Sequence, residues 1–343
     1  MKNIDIYITG SYSKGSKDIA CYWKNGVRTD LSTTDIIGKS MYVLGTDVYI
    51  AGTCWGGSSH TACYWKNNNK VNLLTKKSFA NSVFVYGTDV YIAGCYHNGL
   101  KYIACYWKSG NHGIERVDLS ASDSHAYSLF VSGSDVYVAG YYNNGRDDIA
   151  CYWKNGFKTD LDTVYSSASS IYVYESDVYV AGSRLTGSND TAFYWKNGER
   201  VNLSTNPDGS SFAYSLLVDK NDVYVTGFYF NGRRDVACYW KNGNIIDIQK
   251  NESFGGSIFV LGNDTQHDEF CCNTDPNKNL AAEESVATSM YIDGTDIYIT
   301  GILFLDCDKR CDLRTVCYWK NGVRTDVVAI GGQAEAIRIN TYD

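Results

Sequence analysis

A repeated pair of strand-like segments runs along the whole chain. Each repeat has an apolar segment of the form D-[VI]-Y-[IV]-[AT]-G, followed by a second segment that ends in Y-W-K-N or Y-W-K-S. The Trp of the second segment recurs at intervals of 42, 42, 46, 42, 45 and 79 residues, at Trp23, Trp65, Trp107, Trp153, Trp195, Trp240 and Trp319. Repeats of this length are typical of propellers and solenoids, in which each unit buries its apolar face against the next.

Each repeat contains the signals for four short antiparallel strands. In the fourth repeat we predict strands a, b, c and d at 126–132, 135–140, 149–154 and 157–161. A G-T-D or G-S-D turn joins a to b, and Asn-Gly directly after the Lys joins c to d in five repeats. Asn-Gly favours the type I′ turn of a tight hairpin. The sequence therefore predicts an all-β fold, a β-propeller of four-stranded antiparallel blades.

The two ends of the chain predict a closed ring. The chain opens on a b-type strand at 5–10 with no a-type strand before it, and it ends on an a-type segment at 334–342. Pairing of these two strands would complete the first blade and remove the open edge of the array. We therefore expect residues 1–343 to form a single propeller domain.

The interval of 79 residues leaves the number of blades open. It holds two a-type segments, 256–261 and 287–292, of which only the second leads into a b-type strand. The stretch 263–285 is too short for normal b, c and d strands. We predict seven complete blades and an eroded eighth; the alternative is a seven-bladed ring with an insertion at 263–285.

The repeats resemble those of bacterial tandem-repeat propellers, whose units read V-Y-V-A-G…C-Y-W-K-N-G and which are largely uncharacterised. The resemblance covers nearly the whole chain, and only 263–285 departs from it. It implies the propeller fold and no particular activity.

Composition excludes some classes of partner. The formal net charge is −7, so the chain lacks the basic surface that binding of nucleic acid requires. No apolar run approaches the length of a membrane helix, so we expect no membrane insertion. We find no signal peptide or transmembrane segment, and the abrupt start within a strand fits a trimmed extracellular or periplasmic protein; the compartment stays open. We expect a monomer.

Six of the 12 cysteines occupy one slot of the repeat, just before Tyr-Trp. Phe193 fills that slot in the fifth repeat, which indicates an apolar packing position. Equivalent slots on neighbouring blades should lie too far apart for a disulfide. We therefore expect buried free thiols. A disulfide between Cys307 and Cys311 stays open, and because the Cys and His spacings match no standard zinc site, we expect no metal or other cofactor.

The variable loops, b to c and d to a, should share one face of the propeller. Loops of variable sequence on a repeated scaffold are the usual place for binding groups. Aromatic side chains begin these loops and could contact a ligand, or could pack between blades: Tyr12, Trp55, Tyr96, Tyr142, Tyr229 and Phe304. We select Trp55, Tyr96, Tyr142 and Tyr229 as candidate binding residues.

A second candidate site is the mouth of the central channel. Strand a carries the pattern A-x-S, in which the middle residue changes from repeat to repeat while the Ser recurs. We select the middle residues Lys39, Tyr127 and Tyr214 as ligand-binding candidates. The repeated Ser is better explained as a hydrogen-bonding group of the scaffold.

No catalytic signature is present, since G-x-S-x-G, H-E-x-x-H and C-x-x-C are all missing and the five histidines share no repeat position. The sequence favours a non-enzymatic binding or scaffold propeller, such as a lectin, that recognises a glycan or a protein through the variable face. One alternative is a hydrolase or lyase that acts on saccharides at the central pit. Another is a structural spacer with no ligand.

Overall fold

The computed structural model of the protein is built from β-strands. It describes residues 3–14, 17–32, 36–55, 57, 59–203, 209–232, 235–248, 282–293, 296–305, 313–321, 323–327 and 332–342. The strands pair into seven four-stranded antiparallel sheets, which we number as blades 1 to 7. Within each blade we label the strands a to d, from the channel outward. No helix that could span a membrane occurs among the described residues.

The strand bounds repeat closely from blade to blade. Blade 1 contains the C-terminal strand β28 (Gly332–Tyr342) and β1 (Asn3–Lys14), β2 (Lys17–Lys24) and β3 (Val27–Asp30). Blade 2 contains β4 (Ile36–Leu44), β5 (Asp47–Trp55), β6 (His60–Lys66) and β7 (Asn69–Lys76). Blade 3 contains β8 (Ser78–Tyr86), β9 (Asp89–His97), β10 (Tyr102–Gly110) and β11 (Gly113–Asp118). Blade 4 contains β12 (Ser124–Ser132), β13 (Asp135–Asn143), β14 (Asp148–Lys154) and β15 (Phe157–Asp160).

The remaining three blades follow the same order. Blade 5 contains β16 (Ser166–Tyr174), β17 (Asp177–Thr186), β18 (Asn189–Lys196) and β19 (Glu199–Asn202). Blade 6 contains β20 (Ser211–Asp219), β21 (Asp222–Phe230), β22 (Asp235–Lys241) and β23 (Asn244–Asp247). Blade 7 contains β24 (Ala282–Asp293), β25 (Asp296–Leu305), β26 (Leu313–Lys320) and β27 (Val323–Val327).

The chain closes through its two terminal strands, as predicted. β28 pairs antiparallel with β1, with Ile339 opposite Ile6 and Ile337 opposite Ile8. Blade 1 therefore takes its innermost strand from the C-terminus and its other three from the N-terminus. The ends of the chain are held by the same ladder hydrogen bonds that hold every other blade together.

The described residues favour the seven-bladed alternative over an eighth blade. Tyr224 and Ala237 of blade 6 belong to one buried cluster with Ile299 and Trp319 of blade 7. The same repeat positions form the interface of blades 2 and 3. Blades 6 and 7 thus pack as consecutive blades, which leaves no sector of the ring between them. Residues 249–281, which include the expected eroded blade, lie outside the described residues.

The repeated Trp is the centre of each interface between blades. All seven are at most 1% exposed: Trp23, Trp65, Trp107, Trp153, Trp195, Trp240 and Trp319. Each lies on strand c in a buried cluster with residues of the preceding blade, as Trp107 does with Ala51 and Ala62 in the interface of blades 2 and 3. Burial of so large a ring removes well over 100 Å² of apolar surface from water. The Trp therefore gives each pair of blades its main packing contact.

Serine hydroxyls link the backbones of adjacent blades. In S-x-A-x-S of strand a, the second Ser accepts a hydrogen bond from strand a of the next blade: Leu129 N donates to Ser82 Oγ at 3.2 Å, and Leu216 N donates to Ser170 Oγ at 3.1 Å. The first Ser accepts from strand c of the preceding blade, as in the 2.9 Å bond from Ala104 N to Ser124 Oγ. The expected scaffold role of the repeated Ser is confirmed.

The Asp of D-[VI]-Y joins the two hairpins of a blade at one end. In blade 4, Asn155 and Gly156 have positive φ values of 50° and 85°, as a type I′ turn requires. Asn155 Nδ2 donates to Asp135 Oδ1 at 2.8 Å, and Lys154 Nζ lies 2.7 Å from Asp135 Oδ2. The same trio recurs in most blades, so the repeated Asp stabilises turns and carries no acid chemistry.

We predict that Ser170→Ala weakens the ring. The substitution leaves the amide of Leu216 without its hydroxyl acceptor, which should cost about 1–3 kcal/mol. The midpoint of urea unfolding should fall for Ser170→Ala and stay unchanged for the control Ser188→Ala, whose side chain is exposed in a turn. Equal midpoints for the two variants would contradict the hydroxyl link.

We also predict a loss of stability in acid that depends on these turns. Hydrogen bonds from Lys320, Asn321 and Tyr298 lower the pKa of Asp296 to about 2. Because this pKa is lower than the ordinary Asp value of about 3.9, the stabilisation is complete above pH 4 and is lost as the pH falls towards 2. Between pH 4 and 2, the melting temperature of Asp296→Asn should fall by less than the melting temperature of wild type. The control Glu199→Gln should follow wild type.

Candidate functional site

The innermost strands enclose a central cavity of about 1110 Å³. Its lining includes the three predicted mouth residues Lys39, Tyr127 and Tyr214. They lie in the first half of strand a, towards the end of the channel at which the variable loops emerge; we call this end the variable face. Tyr214 is 40% exposed, whereas Lys39 and Tyr127 are half-buried. The structure therefore brings these three residues to one cavity.

A β-bulge explains why these residues face the channel. In all seven blades the register shifts between the first and last residues of A-x-S, so the middle residue has no partner on strand b. Gly38 takes the Ala position in blade 2, and Ala336 takes the Ser position in blade 1. The bulge also explains the repeated Gly within strand b: a Cβ on Gly140 would overlap the carbonyl oxygen of His125. In blades 2 to 6 the repeated bulge thus places one side chain per blade at the cavity: Lys39, Asn81, Tyr127, Ser169 and Tyr214.

The predicted tyrosines Tyr96, Tyr142 and Tyr229 lie elsewhere. Each points away from the channel mouth and donates a hydrogen bond from its hydroxyl to an Asp on strand d of its own blade. The bonds are Tyr96 to Asp118 at 2.8 Å, Tyr142 to Asp160 at 3.1 Å and Tyr229 to Asp247 at 3.3 Å, with Tyr12 to Asp30 at 2.9 Å in blade 1. They occupy separate blades and form no common surface.

A neighbouring cation completes most of these tyrosine contacts. The Arg116 guanidinium lies 3.7 Å from the centre of the Tyr96 ring, and the Lys158 ammonium lies 3.1 Å from that of Tyr142. Both cations also pair with the Asp that accepts the tyrosine hydrogen bond. Burial, followed by the Asp247 carboxylate, raises the pKa of Tyr229 to about 12. These groups tie strand b to strand d.

Blade 2 replaces this contact with a disulfide between Cys54 and Cys63. Cys54 holds the position that Tyr142 holds in blade 4, and Cys63 is a slot cysteine. The expectation of a free thiol is therefore wrong for Cys63, because its partner lies on the adjacent strand of the same blade and not on a neighbouring blade. The described slot cysteines that remain are buried and lie outside any disulfide: Cys21, Cys105, Cys151, Cys238 and Cys317. Cys307 and Cys311 lie outside the described residues.

Trp55, the remaining predicted residue, begins a row of aromatic rings on the variable face. It is 43% exposed, at the end of strand b of blade 2. Successive ring centres along the row are 4.8 to 5.9 Å apart. The row, which we call the aromatic row, runs across blades 2 to 4 through Trp55, His60, Phe79, Tyr102, His125, Tyr141 and Tyr127. Every member is at least partly exposed.

A second aromatic group stands across the channel on blade 6. Phe212 stacks on Phe228 with ring centres 5.1 Å apart, and on Tyr214 at 6.5 Å. Phe212 and Tyr214 line the cavity. The variable end of the channel therefore has aromatic walls on two sides.

His125 lies near the inner end of the aromatic row, next to Tyr141. Its Nδ1 is 3.2 Å from the thiol of Cys95. Burial lowers the pKa of His125, against the opposing effect of the Asp123 and Asp148 carboxylates, so the imidazole is neutral at pH 7. Burial also raises the pKa of Cys95 to about 12. A protonated, buried thiol beside a neutral ring is a packing contact and not an activated nucleophile.

The sequence contains a pattern for the aromatic residues of blades 3, 4 and 6 that the choice of candidate binding residues did not use. Phe79, His125 and Phe212 all stand between Ser and Ala in S-x-A-x-S, and Tyr141 and Phe228 follow the Gly of strand b directly. These positions change from repeat to repeat as the middle residue does. Among the described residues, no group of three or more His, Cys, Asp or Glu side chains could hold a metal ion.

Comparison with known proteins supports the fold. No protein-family model matches this sequence, and no curated protein matches it. Among solved structures, it is similar to the β-propeller domain of the Trilobed protease from Pyrococcus furiosus, at 11% identity and a TM-score of 0.55 over 96% of this chain and 94% of that one. It is also similar to the Pyrococcus horikoshii acylaminoacyl peptidase, at 12% identity and a TM-score of 0.52, over 96% of this chain but only 51% of the peptidase. Likeness at this level of identity shows a β-propeller fold alone.

We predict that Tyr142→Phe lowers stability and spares the variable face. The change removes the hydroxyl donor to Asp160 and keeps the ring under Lys158. We expect a loss of about 0.5–1.5 kcal/mol. Urea unfolding should show it, and the control Tyr86→Phe, on the opposite face and 48% exposed, should unfold like wild type. Unchanged stability of Tyr142→Phe would contradict the contact.

Proposed function

We propose that this protein is a non-enzymatic binding propeller that recognises a glycan at the variable end of its channel. The observation that carries this proposal is the aromatic row, which presents seven partly exposed rings across three blades. Aromatic side chains offer wide contact area with few rotatable bonds to immobilise. A sugar ring offers an apolar C–H face to stack on such rings, together with hydroxyls for polar neighbours.

The cavity beside the row supplies those polar neighbours. Serine hydroxyls and the amide of Asn81 line it together with Tyr127 and Tyr214. A concave site with apolar walls and a few directed polar groups is the usual form of a small-ligand site. This mixture suits a saccharide better than a purely apolar ligand.

The carboxylates around the cavity support binding over hydrolysis. Glycoside hydrolysis uses two carboxyl groups about 5 to 10 Å apart. Of the described lining residues, Asp190 and Asp219 carry carboxylates. Asp190 lies near the start of strand c at the variable face, and Asp219 ends strand a at the opposite face. They do not form such a pair.

We predict that loss of two rings from the row abolishes most glycan binding. The variant Trp55→Ala with Tyr102→Ala removes the exposed end and the middle of the row, and should weaken binding to an oligosaccharide array by at least about tenfold, as loss of aromatic contacts at a binding surface does. The matched control is Phe157→Ala with Tyr86→Ala, which removes two exposed rings from the opposite face.

The results separate the competing functions. Binding that is lost in the row variant and kept in the control supports the proposal. Binding of wild type to a peptide array and not to the oligosaccharide array would show that the protein recognises proteins and not glycans. Release of reducing ends from a bound oligosaccharide would show that the protein is a hydrolase and would overturn the proposal. A failure of wild type to bind either array would favour a structural spacer.

A further inference from the structure

Blade 5 interrupts the aromatic walls with small polar residues. Three equivalent positions near the variable face carry His125, Tyr127 and Tyr141 in blade 4, and Phe212, Tyr214 and Phe228 in blade 6. In blade 5 the same positions carry serine: Ser167, Ser169 and Ser183. Replacement of large rings by serine on one blade leaves a notch between two aromatic walls.

Two of these serines and one carboxylate are available to a ligand. Ser167 and Ser183 are directly opposite each other on strands a and b, so their Cβ atoms are about 4.5–5.5 Å apart. Ser183 is opposite Ala192 on strand c, and Asp190 lies two residues from Ala192 on the same face of the blade. The hydroxyls and the carboxylate therefore share one surface.

These three side chains are not used by the scaffold. Neither Ser167, Ser183 nor Asp190 makes a side-chain hydrogen bond or ion pair within the described part of the chain, and all three are half-buried in the lining of the cavity. Ser169 differs, since its hydroxyl lies 2.6 Å from the Ala213 carbonyl oxygen, to which it donates. Half-buried polar groups without partners at the wall of a cavity are suited to contact a ligand.

The surroundings of the notch restrict the ligand. The stacked rings of Phe212 and Phe228 border it on one side, and Tyr127 and Tyr141 border it on the other. Arg184 follows Ser183 on strand b of the same blade, and its guanidinium is held 3.5 Å from the Asp162 carboxylate, which is 5% exposed. Asp190 gives the notch a negative charge, and its carboxylate forms no ion pair within the described part of the chain.

We propose that the notch of Ser167, Ser183 and Asp190 is the subsite for one uncharged sugar ring, and that it rejects acidic sugars. The subsite rests on the proposed glycan-binding function and adds its location and its selectivity. The carboxylate accepts hydrogen bonds from sugar hydroxyls, which are stronger than bonds between neutral groups. A uronate in the notch would lie beside Asp190 and be repelled by it.

The test uses variants that copy another blade of the same protein. Ser167→Phe with Ser183→Phe installs the residues that blade 6 carries at Phe212 and Phe228, so the fold is expected to accept them; a thermal melt checks this. Asp190→Asn removes the charge and keeps the shape. The probe is an array that carries neutral oligosaccharides beside their uronate-terminated counterparts.

We expect wild type to bind neutral members and to reject their uronate counterparts. The double Phe variant should lose at least about tenfold in affinity because its rings fill the notch. Asp190→Asn should bind neutral members about tenfold or more weakly, as expected for loss of a hydrogen bond to a charged group, and should discriminate less against uronates.

Two results would overturn the subsite and differ in what they say of the proposed function. Unchanged binding by the folded double Phe variant, or equal binding of uronates by wild type, would reject the notch and leave glycan recognition by the aromatic row intact. No binding of any array member by wild type would reject both.

Discussion

The open edge of the innermost strand is the constraint on which the rest of this propeller depends. Strand a pairs with strand b on one side only, so its other edge presents amide and carbonyl groups to the channel. The hydroxyl of Ser128 accepts from the Ile171 amide of the next blade at 3.2 Å, and Ser40, Ser82 and Ser170 act alike. Each of these serines therefore provides a hydrogen-bond acceptor for one unpaired backbone amide on strand a of the next blade.

The same constraint shapes the site. The bulge that precedes each of these serines turns one extra residue towards the channel, and in blade 3 that residue, Asn81, donates to the Ala126 carbonyl of the next blade at 2.8 Å. Where a shorter or a larger side chain takes this position, the scaffold keeps its serine links and the cavity changes its chemistry. The aromatic row, the blade 6 rings and the serine notch are formed largely by residues at repeat positions whose identity changes from blade to blade, while the serine links are kept.

Much of this architecture could be predicted from the sequence because the determinants are local and repeated. The Asn-Gly pairs predicted the c to d turns, and the terminal segments predicted the closure of the ring. The A-x-S pattern predicted that Lys39, Tyr127 and Tyr214 lie at the channel. The surroundings of Tyr96, Tyr142 and Tyr229 were harder to predict, because side chains alternate between the two faces of a strand. Tyr141 joins the aromatic row, whereas Tyr142, one residue later, meets Asp160 on the other face. The disulfide between Cys54 and Cys63 could not be predicted from the repeat either, because it depends on how strands b and c pair.

The most direct test of the account is a crystal structure of this protein with an oligosaccharide from the array that binds it. We expect sugar rings at the variable end of the channel, with one ring in the notch beside Ser183 and Asp190 and others against Tyr127 or the rest of the aromatic row. An oligosaccharide bound among the Asn-Gly turns of the opposite face, or along the outer strands beside Tyr96 and Tyr142, would contradict it.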